Sequence, residues 1–77
     1  MTKTEFENEM EWFCEFYEKK LSERQARVWF DIVGNAGVKQ FHACLMKHIK
    51  HDENPFFPPV GKITQLLEKS KGYWQIN

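Results

Sequence analysis

The chain is poor in the residues that hold very small secreted domains together or that mark membrane proteins. It has two cysteines in 77 residues, Cys14 and Cys44, and no secretory start, so we expect reduced thiols and not a disulfide framework. No apolar run approaches the roughly 18 residues that cross a bilayer. We therefore expect one soluble domain, residues 1–77, in the cytoplasm.

Net charge is absent too, because eleven basic and eleven acidic side chains give a formal charge of zero. This balance argues against a protein whose affinity comes mainly from neutralising phosphates. The charges are nevertheless uneven, since glutamates are concentrated in residues 5–18 and lysines and histidines in 39–51. Lys47 and Lys50 are therefore secondary candidates for a partner or DNA contact, and a solvated charged face is the alternative.

What the chain does contain is aromatic residues, at 16% of the sequence, and apolar positions that recur at helical spacing. Nothing alternates with the period of a strand, so the sequence predicts an all-α fold, a small bundle of four helices. The predicted helices span about 4–20, 23–33, 38–51 and 59–70. The last is expected to be short, to start with Pro58 and Pro59, and to be followed by Gly72.

Several helix ends carry specific signals. Thr4 with Glu7, and Ser22 with Gln25, fit capping boxes, in which each side chain bonds a free amide of the first turn. Gly34 is expected to end the second helix, where glycine can adopt a positive φ.

The same periodicity predicts which side chains face inward. Phe56 and Phe57 precede a proline-started helix, so both are expected to pin the loop to the core as a hydrophobic staple. The predicted core consists of Phe6, Phe13, Trp29, Ile32, Phe41, Leu45, Ile49, Phe57 and Ile63.

Two aromatic residues of the first helix leave its main apolar stripe. Trp12 and Phe16 lie roughly 100° or more around the helix from that stripe, with Glu9 nearby. An exposed aromatic patch with an acidic rim is typical of a protein-binding hot spot, which makes these three residues the candidate partner-binding site. The alternative is a broad core stripe covered by the C-terminal segment GYWQIN.

A metal site is a second candidate, because Cys44, His48 and His51 have the spacing i, i+4 and i+7 on one helix, and Cys14 and His42 are further potential ligands. A packed thiol and a boundary imidazole explain the same pattern. No nucleophile has a positioned base and no glycine-rich phosphate loop occurs. We expect a protein that is not an enzyme and uses no metal or cofactor.

The stretch from Gln25 to Ile63 has an ordered set of features: a tryptophan helix, a helix ending in His-Ile, a short loop, and Phe-Pro-Pro before an isoleucine. The residues in question are Trp29, Val33, Val38, Phe41, Leu45, His48, Ile49, Phe57, Pro58, Pro59 and Ile63. This order resembles the N-terminal domain of the bacteriophage replicative-helicase loader/inhibitor family.

The resemblance implies a small helical domain that works in phage DNA replication through protein contacts. Such proteins bind a hexameric replicative helicase, hold it inactive and deliver it to an origin-bound initiator. Family members continue into a flexible C-terminal region that engages the helicase, whereas this sequence stops at Asn77. It is therefore expected to be the folded part of a longer protein or to have another partner.

Other functions fit the same residues. One alternative is a small phage-type inhibitor of another host or bacterial-defence protein, and another is a DNA-binding module. In each case we expect a monomer or homodimer in the cytoplasm, that of the bacterial host if the protein is encoded by a phage.

Overall fold

The computed structural model describes residues 1–52 and 55–76, with the backbone alone for 70–76. These residues form four helices and no strand, which confirms the predicted all-α fold. The helices are α1 (Lys3–Phe16), α2 (Glu23–Val33), α3 (Val38–His51) and α4 (Val60–Ile76). The bounds of α2 and α3 agree with the prediction, and both ends of α1 and α4 differ from it.

Helix α1 begins one half-turn before the predicted capping box. The Thr2 hydroxyl accepts a hydrogen bond from the Glu5 amide at 3.1 Å, and the Glu5 carboxylate accepts one from the Thr2 amide at 2.8 Å. Thr4 and Glu7 have the same spacing but already lie inside the helix. The predicted box was therefore wrong, because two overlapping pairs in the sequence satisfy one motif.

The end of α1 is earlier than predicted, at Phe16 and not near residue 20. Glu18 has a left-handed backbone with φ of 53°, and its amide donates to the Glu15 carbonyl at 3.1 Å. The Lys19 amide donates to the Cys14 carbonyl at 2.9 Å. These bonds form a Schellman motif, which normally uses glycine at the left-handed position. With glutamate there, the sequence has no visible stop signal.

Helix α2 begins with the predicted box of Ser22 and Gln25, so that expectation is confirmed. It ends before Gly34 as expected, but the φ of this glycine is −64° and the left-handed conformation is not used. The reason for glycine is space: a Cβ atom would lie 2.5 Å from the carbonyl oxygen of Phe30. A side chain at position 34 would therefore displace the backbone of the preceding turn.

Helix α4 is the longest of the four, so the expectation of a short helix ending before Gly72 was wrong. Gly72 lies inside the helix. A single internal glycine costs about 1 kcal/mol relative to alanine and does not by itself end a helix. Pro58 and Pro59 precede Val60, the first helical residue, and Pro58 is buried. No helix among the described residues is both long and apolar enough to span a membrane.

The core lies between the four helices and contains most of the predicted residues. Ile49 and Phe57 are partly buried against it. Ile32 was predicted wrongly and is 44% exposed, because Trp29 and Val33, four residues apart, turn the buried face of α2 away from it. The predicted residues that are buried are Phe6, Phe13, Trp29, Phe41, Leu45 and Ile63.

One group of rings joins α1, α2 and the loop before α4. The Phe57 ring centroid lies 5.4 Å from that of Phe13, 5.7 Å from Tyr17 and 5.6 Å from Trp29. We call these four residues the aromatic cluster. Phe57 is thus the residue that attaches this loop to the core, as predicted for the hydrophobic staple. Phe56 is 75% exposed, so its predicted place beside Phe57 in the core was wrong.

Candidate functional site

Phe16 is the exposed aromatic residue of α1, with 60% of its surface open to solvent. It occupies the last position of the helix, and its ring packs against Tyr17 with centroids 5.1 Å apart. The exposed side chains of Glu15, Glu18 and Lys19 flank it along the chain. The position therefore combines a large apolar ring with charged neighbours, which are not the predicted rim residue Glu9.

The rings continue from Phe16 toward the loop before α4. Tyr17 contacts Phe57, and Phe56 precedes Phe57 in the chain. We call Phe16, Tyr17, Phe57 and Phe56 the aromatic surface; Phe16 and Phe56 are its exposed residues, and the contact between Tyr17 and Phe57 links the two segments that carry them. Burial first, and then the nearby Asp52 carboxylate, raise the pKa of the Tyr17 hydroxyl, so this group stays protonated at neutral pH.

Trp12 differs from Phe16 because it is half-buried and packs against the core. Its indole N–H donates to a carboxylate oxygen of Glu9 at 2.9 Å. Nδ1 of His42, on α3, lies 2.6 Å from the same oxygen, and the Trp12 and His42 rings are 5.3 Å apart. Glu9 and Trp12 therefore join α1 to α3.

This placement bears on the two interpretations of the Trp12 and Phe16 pair. The described contacts of the Trp12 ring are with Phe13 and His42, whereas the Phe16 ring contacts Tyr17. Trp12 is covered in part by α3, and Phe16 is open. Whether the segment GYWQIN covers either ring lies outside the described side chains.

A cleft of about 510 Å³ separates the last part of α3 from α4. Lys47 from α3 and Lys62 and Lys69 from α4 are among the residues that line it. The Lys62 ammonium group lies 2.5 Å from a carboxylate oxygen of Asp52. Lys47, a secondary candidate from the sequence, therefore belongs to a basic cleft, while the exposed Lys50 does not line it.

His48 lies beneath this cleft with only 5% of its surface exposed. Its Nδ1 atom is 3.5 Å from Asp52, and its Nε2 atom is buried with no hydrogen-bond partner within the described part of the chain. The rings of Phe13 and Tyr17 lie 6.3 Å away on its other side. Burial lowers the pKa of His48; Asp52 opposes this shift and Lys62 adds to it. The imidazole is therefore neutral at pH 7.

The candidate metal ligands do not meet in one place. Cys44 and His48 are buried, His51 is exposed, and no group of three or more potential ligands forms among the described residues. Burial raises the pKa of both thiols, and Lys19 and Lys47 oppose this only in part at Cys14 and Cys44, respectively. Both cysteines are therefore protonated at neutral pH, which makes them poor nucleophiles and ligands.

Sequence reasoning missed the contacts that cross between helices. Lys62 and Lys69 lay in a segment that was assigned only a core face, and Glu9 was assigned to a rim without its partner His42. The four-residue spacing of His48 and Asp52 could have suggested that pair. The Lys62 contact to Asp52 and the Glu9 contact to His42 depend on packing, which spacing along one helix does not reveal.

Comparison with models of protein families, with curated proteins and with solved structures finds no match to this chain. The resemblance to helicase loader/inhibitor proteins accordingly remains a hypothesis that rests on its own motif residues.

Proposed function

We propose that this chain is a non-catalytic protein-binding domain of phage DNA replication. It binds a hexameric replicative helicase, or the machinery that loads it, and regulates or inhibits the helicase through protein contacts in the bacterial cytoplasm. The observation that carries the protein-binding part of this proposal is the aromatic surface, with two phenylalanines that are 60% and 75% exposed. The choice of helicase rests on the family resemblance of residues 25–63.

The chemistry of the aromatic surface suits a protein partner. Interface cores are enriched in aromatic residues and depleted in charge, and their rims are polar. Phe16 supplies the apolar centre, and Glu15, Glu18 and Lys19 supply the charged rim. Tyr17 and Phe57 support it from below, since both are half-buried and held by the aromatic cluster. A ring supported in this way loses little conformational freedom on binding.

Trp12 and Glu9 have a smaller part in this proposal than Phe16. Trp12 lies one turn before Phe16 on the same face of α1, so its accessible edge extends the surface. Its packing and its bond to Glu9 mean that a change at either residue also disturbs the joint between α1 and α3. Phe16 is therefore the residue at which binding is tested without loss of structure.

The test is co-elution of the purified chain with a purified hexameric replicative helicase, followed by titration of the complex. Phe16→Ala, alone and combined with Phe56→Ala, is compared with wild type. Met46→Ala is the matched control, because Met46 is 46% exposed on α3, away from the aromatic surface. A hot spot at Phe16 is worth about 2 kcal/mol or more, which corresponds to a roughly 30-fold higher Kd.

The expected result is a weaker complex for the Phe16 variants and an unchanged one for Met46→Ala, at equal melting temperatures. Equal loss in all three variants, or in none, would place the interface elsewhere. No complex with helicase, together with Phe16-dependent capture of another bacterial protein, would favour the second function, an inhibitor of a host or defence protein. Binding to DNA that weakens steeply with salt would favour a DNA-binding module.

A further inference from the structure

Among the described residues, the cleft between α3 and α4 is lined by more basic than acidic side chains. Lys47, Lys62 and Lys69 line it, and Asp52 is the one carboxylate that does so among the described residues. Asp52 is already engaged by Lys62 at 2.5 Å. Lys47 and Lys69 form no ion pair with a described residue, so among the described residues three ammonium groups from two helices line the cleft together with a single carboxylate.

Helix electrostatics explain only part of this arrangement. Basic residues near the end of α3, His51 among them, interact favourably with the negative end of the helix dipole. Lys69 has no such role, because it lies well inside α4, more than one turn from either end. Lys47 and Lys69 line the same cleft from two different helices, so both would attract an anion bound between them.

The structure assigns this cleft as a binding site for a phosphate group, held by Lys47 and Lys69 with His51 at the rim. Its volume of about 510 Å³ is ample for a phosphorylated small ligand or for one segment of a nucleic-acid backbone. Lysine is a phosphate ligand through its charge and its three donors. Lys62 stays paired with Asp52, and its positive charge also contributes to the electrostatic potential in the cleft. His48 forms the floor as a neutral ring.

The lysines of this site are not part of the aromatic surface, although His48 at its floor borders Tyr17, and the site does not depend on the proposed function. The lysines that form the site lie on α3 and α4, whereas Phe16 is the last residue of α1 and Tyr17 is the residue that follows it. Loss of one site by mutation should leave binding at the other unchanged. The two sites can therefore be tested on the same preparations.

The test is a titration of the isotope-labelled chain with inorganic phosphate at pH 7.5, followed by amide NMR. Sodium chloride at matched ionic strength is titrated in parallel. We expect saturable shifts confined to residues 47–51 and 62–69, absent with chloride. Lys47→Gln combined with Lys69→Gln should raise the Kd at least 10-fold. Lys20→Gln combined with Lys39→Gln, two exposed lysines that do not line the cleft, should leave it unchanged.

A short single-stranded oligonucleotide forms the second arm and identifies the source of the phosphate. Tighter binding than inorganic phosphate, through the same lysines, would assign a nucleic-acid backbone. Saturable phosphate binding that the oligonucleotide does not displace would assign a free phosphorylated ligand. Shifts that never saturate, that chloride reproduces, or that survive in the Lys47 and Lys69 variant would overturn the assignment. All four lysines are exposed, so the variants should fold.

Discussion

Phe56 and Phe57 are consecutive residues with opposite environments. The Phe57 ring packs among Phe13, Tyr17 and Trp29, while three quarters of the Phe56 surface is open to solvent. Two consecutive rings of the same chemistry thus differ in role: Phe57 is a member of the aromatic cluster, whereas Phe56 is not. The chain bends at Phe56, whose side chain lies in solvent, while the side chain of Phe57 packs against the core.

A similar division separates Phe13 from Phe16 on α1. Phe13 is fully buried, whereas Phe16, three residues later at the last helical position, is 60% exposed. The helix ends there, and Glu18 adopts a left-handed conformation in the turn that follows. Two functions of aromatic residues are therefore separable in this protein: burial that supports the fold, and exposure that is available to a partner.

The largest effect is expected from Trp29→Ala, in the aromatic cluster. Trp29 is 6% exposed, and truncation of a buried tryptophan costs about 3–5 kcal/mol. In a domain of this size the melting temperature should fall by about 12 °C or more. Urea and thermal denaturation followed by circular dichroism measure both quantities.

Phe16→Ala is the contrasting variant for Trp29→Ala. Its unfolding free energy should stay within about 0.5 kcal/mol of wild type, because the ring is mostly in solvent. If Phe16→Ala were as destabilising as Trp29→Ala, the aromatic surface would be part of the core and its role in binding would lose support.

The sharpest version of the comparison uses the two neighbouring phenylalanines. Phe57→Ala should cost about 2 kcal/mol, less than a fully buried ring, because Phe57 is half-buried but contacts three other rings. Phe56→Ala should change stability by less than about 0.5 kcal/mol. Chemical denaturation of both variants at one pH tests the difference. If both variants lost the same unfolding free energy, the loss would come from a change in the loop and not from the contacts of Phe57 in the aromatic cluster.

Much of this fold could be predicted from spacing along the chain. The positions of α2 and α3, and a core that contains Phe13, Trp29 and Phe41, follow from helical periodicity and from capping residues. The end of α1 could not be predicted, since Glu18 takes a conformation in which glycine is the usual residue. The length of α4 was missed because one glycine was read as a stop.

The candidate sites were predictable to a smaller extent. Exposure of Phe16 follows from its angle around α1, but the partial burial of Trp12 depends on where α3 packs, which no local pattern contains. Only one side of the basic cleft could be predicted from the sequence. Lys47 lies in an evident basic stretch, whereas Lys69 lies on another helix. Contacts between helices are long-range, so single-chain periodicity does not report them.

The last prediction concerns His48, which borders the aromatic cluster, compared with His51, which lies three residues later and is exposed. Burial lowers the folded-state pKa of His48 below its ordinary value of 6.5. The unfolded chain therefore binds a proton first as pH falls. Stability should be full above about pH 6.5, decrease below it, and level off once pH passes the lower folded-state value. One proton contributes at most about 1.4 kcal/mol per pH unit.

The measurement is the unfolding free energy between pH 7.5 and 5 for wild type, His48→Gln and His51→Gln. The pH dependence is compared, and not the absolute stability, because glutamine at position 48 also changes packing. His42 and the carboxylates are common to all three proteins, so the difference between two curves isolates one histidine. We expect His48→Gln to flatten the curve and His51→Gln to preserve it. The same slope in wild type and His48→Gln would mean that the pKa of His48 is the same in the folded and unfolded chain, and that burial does not lower it.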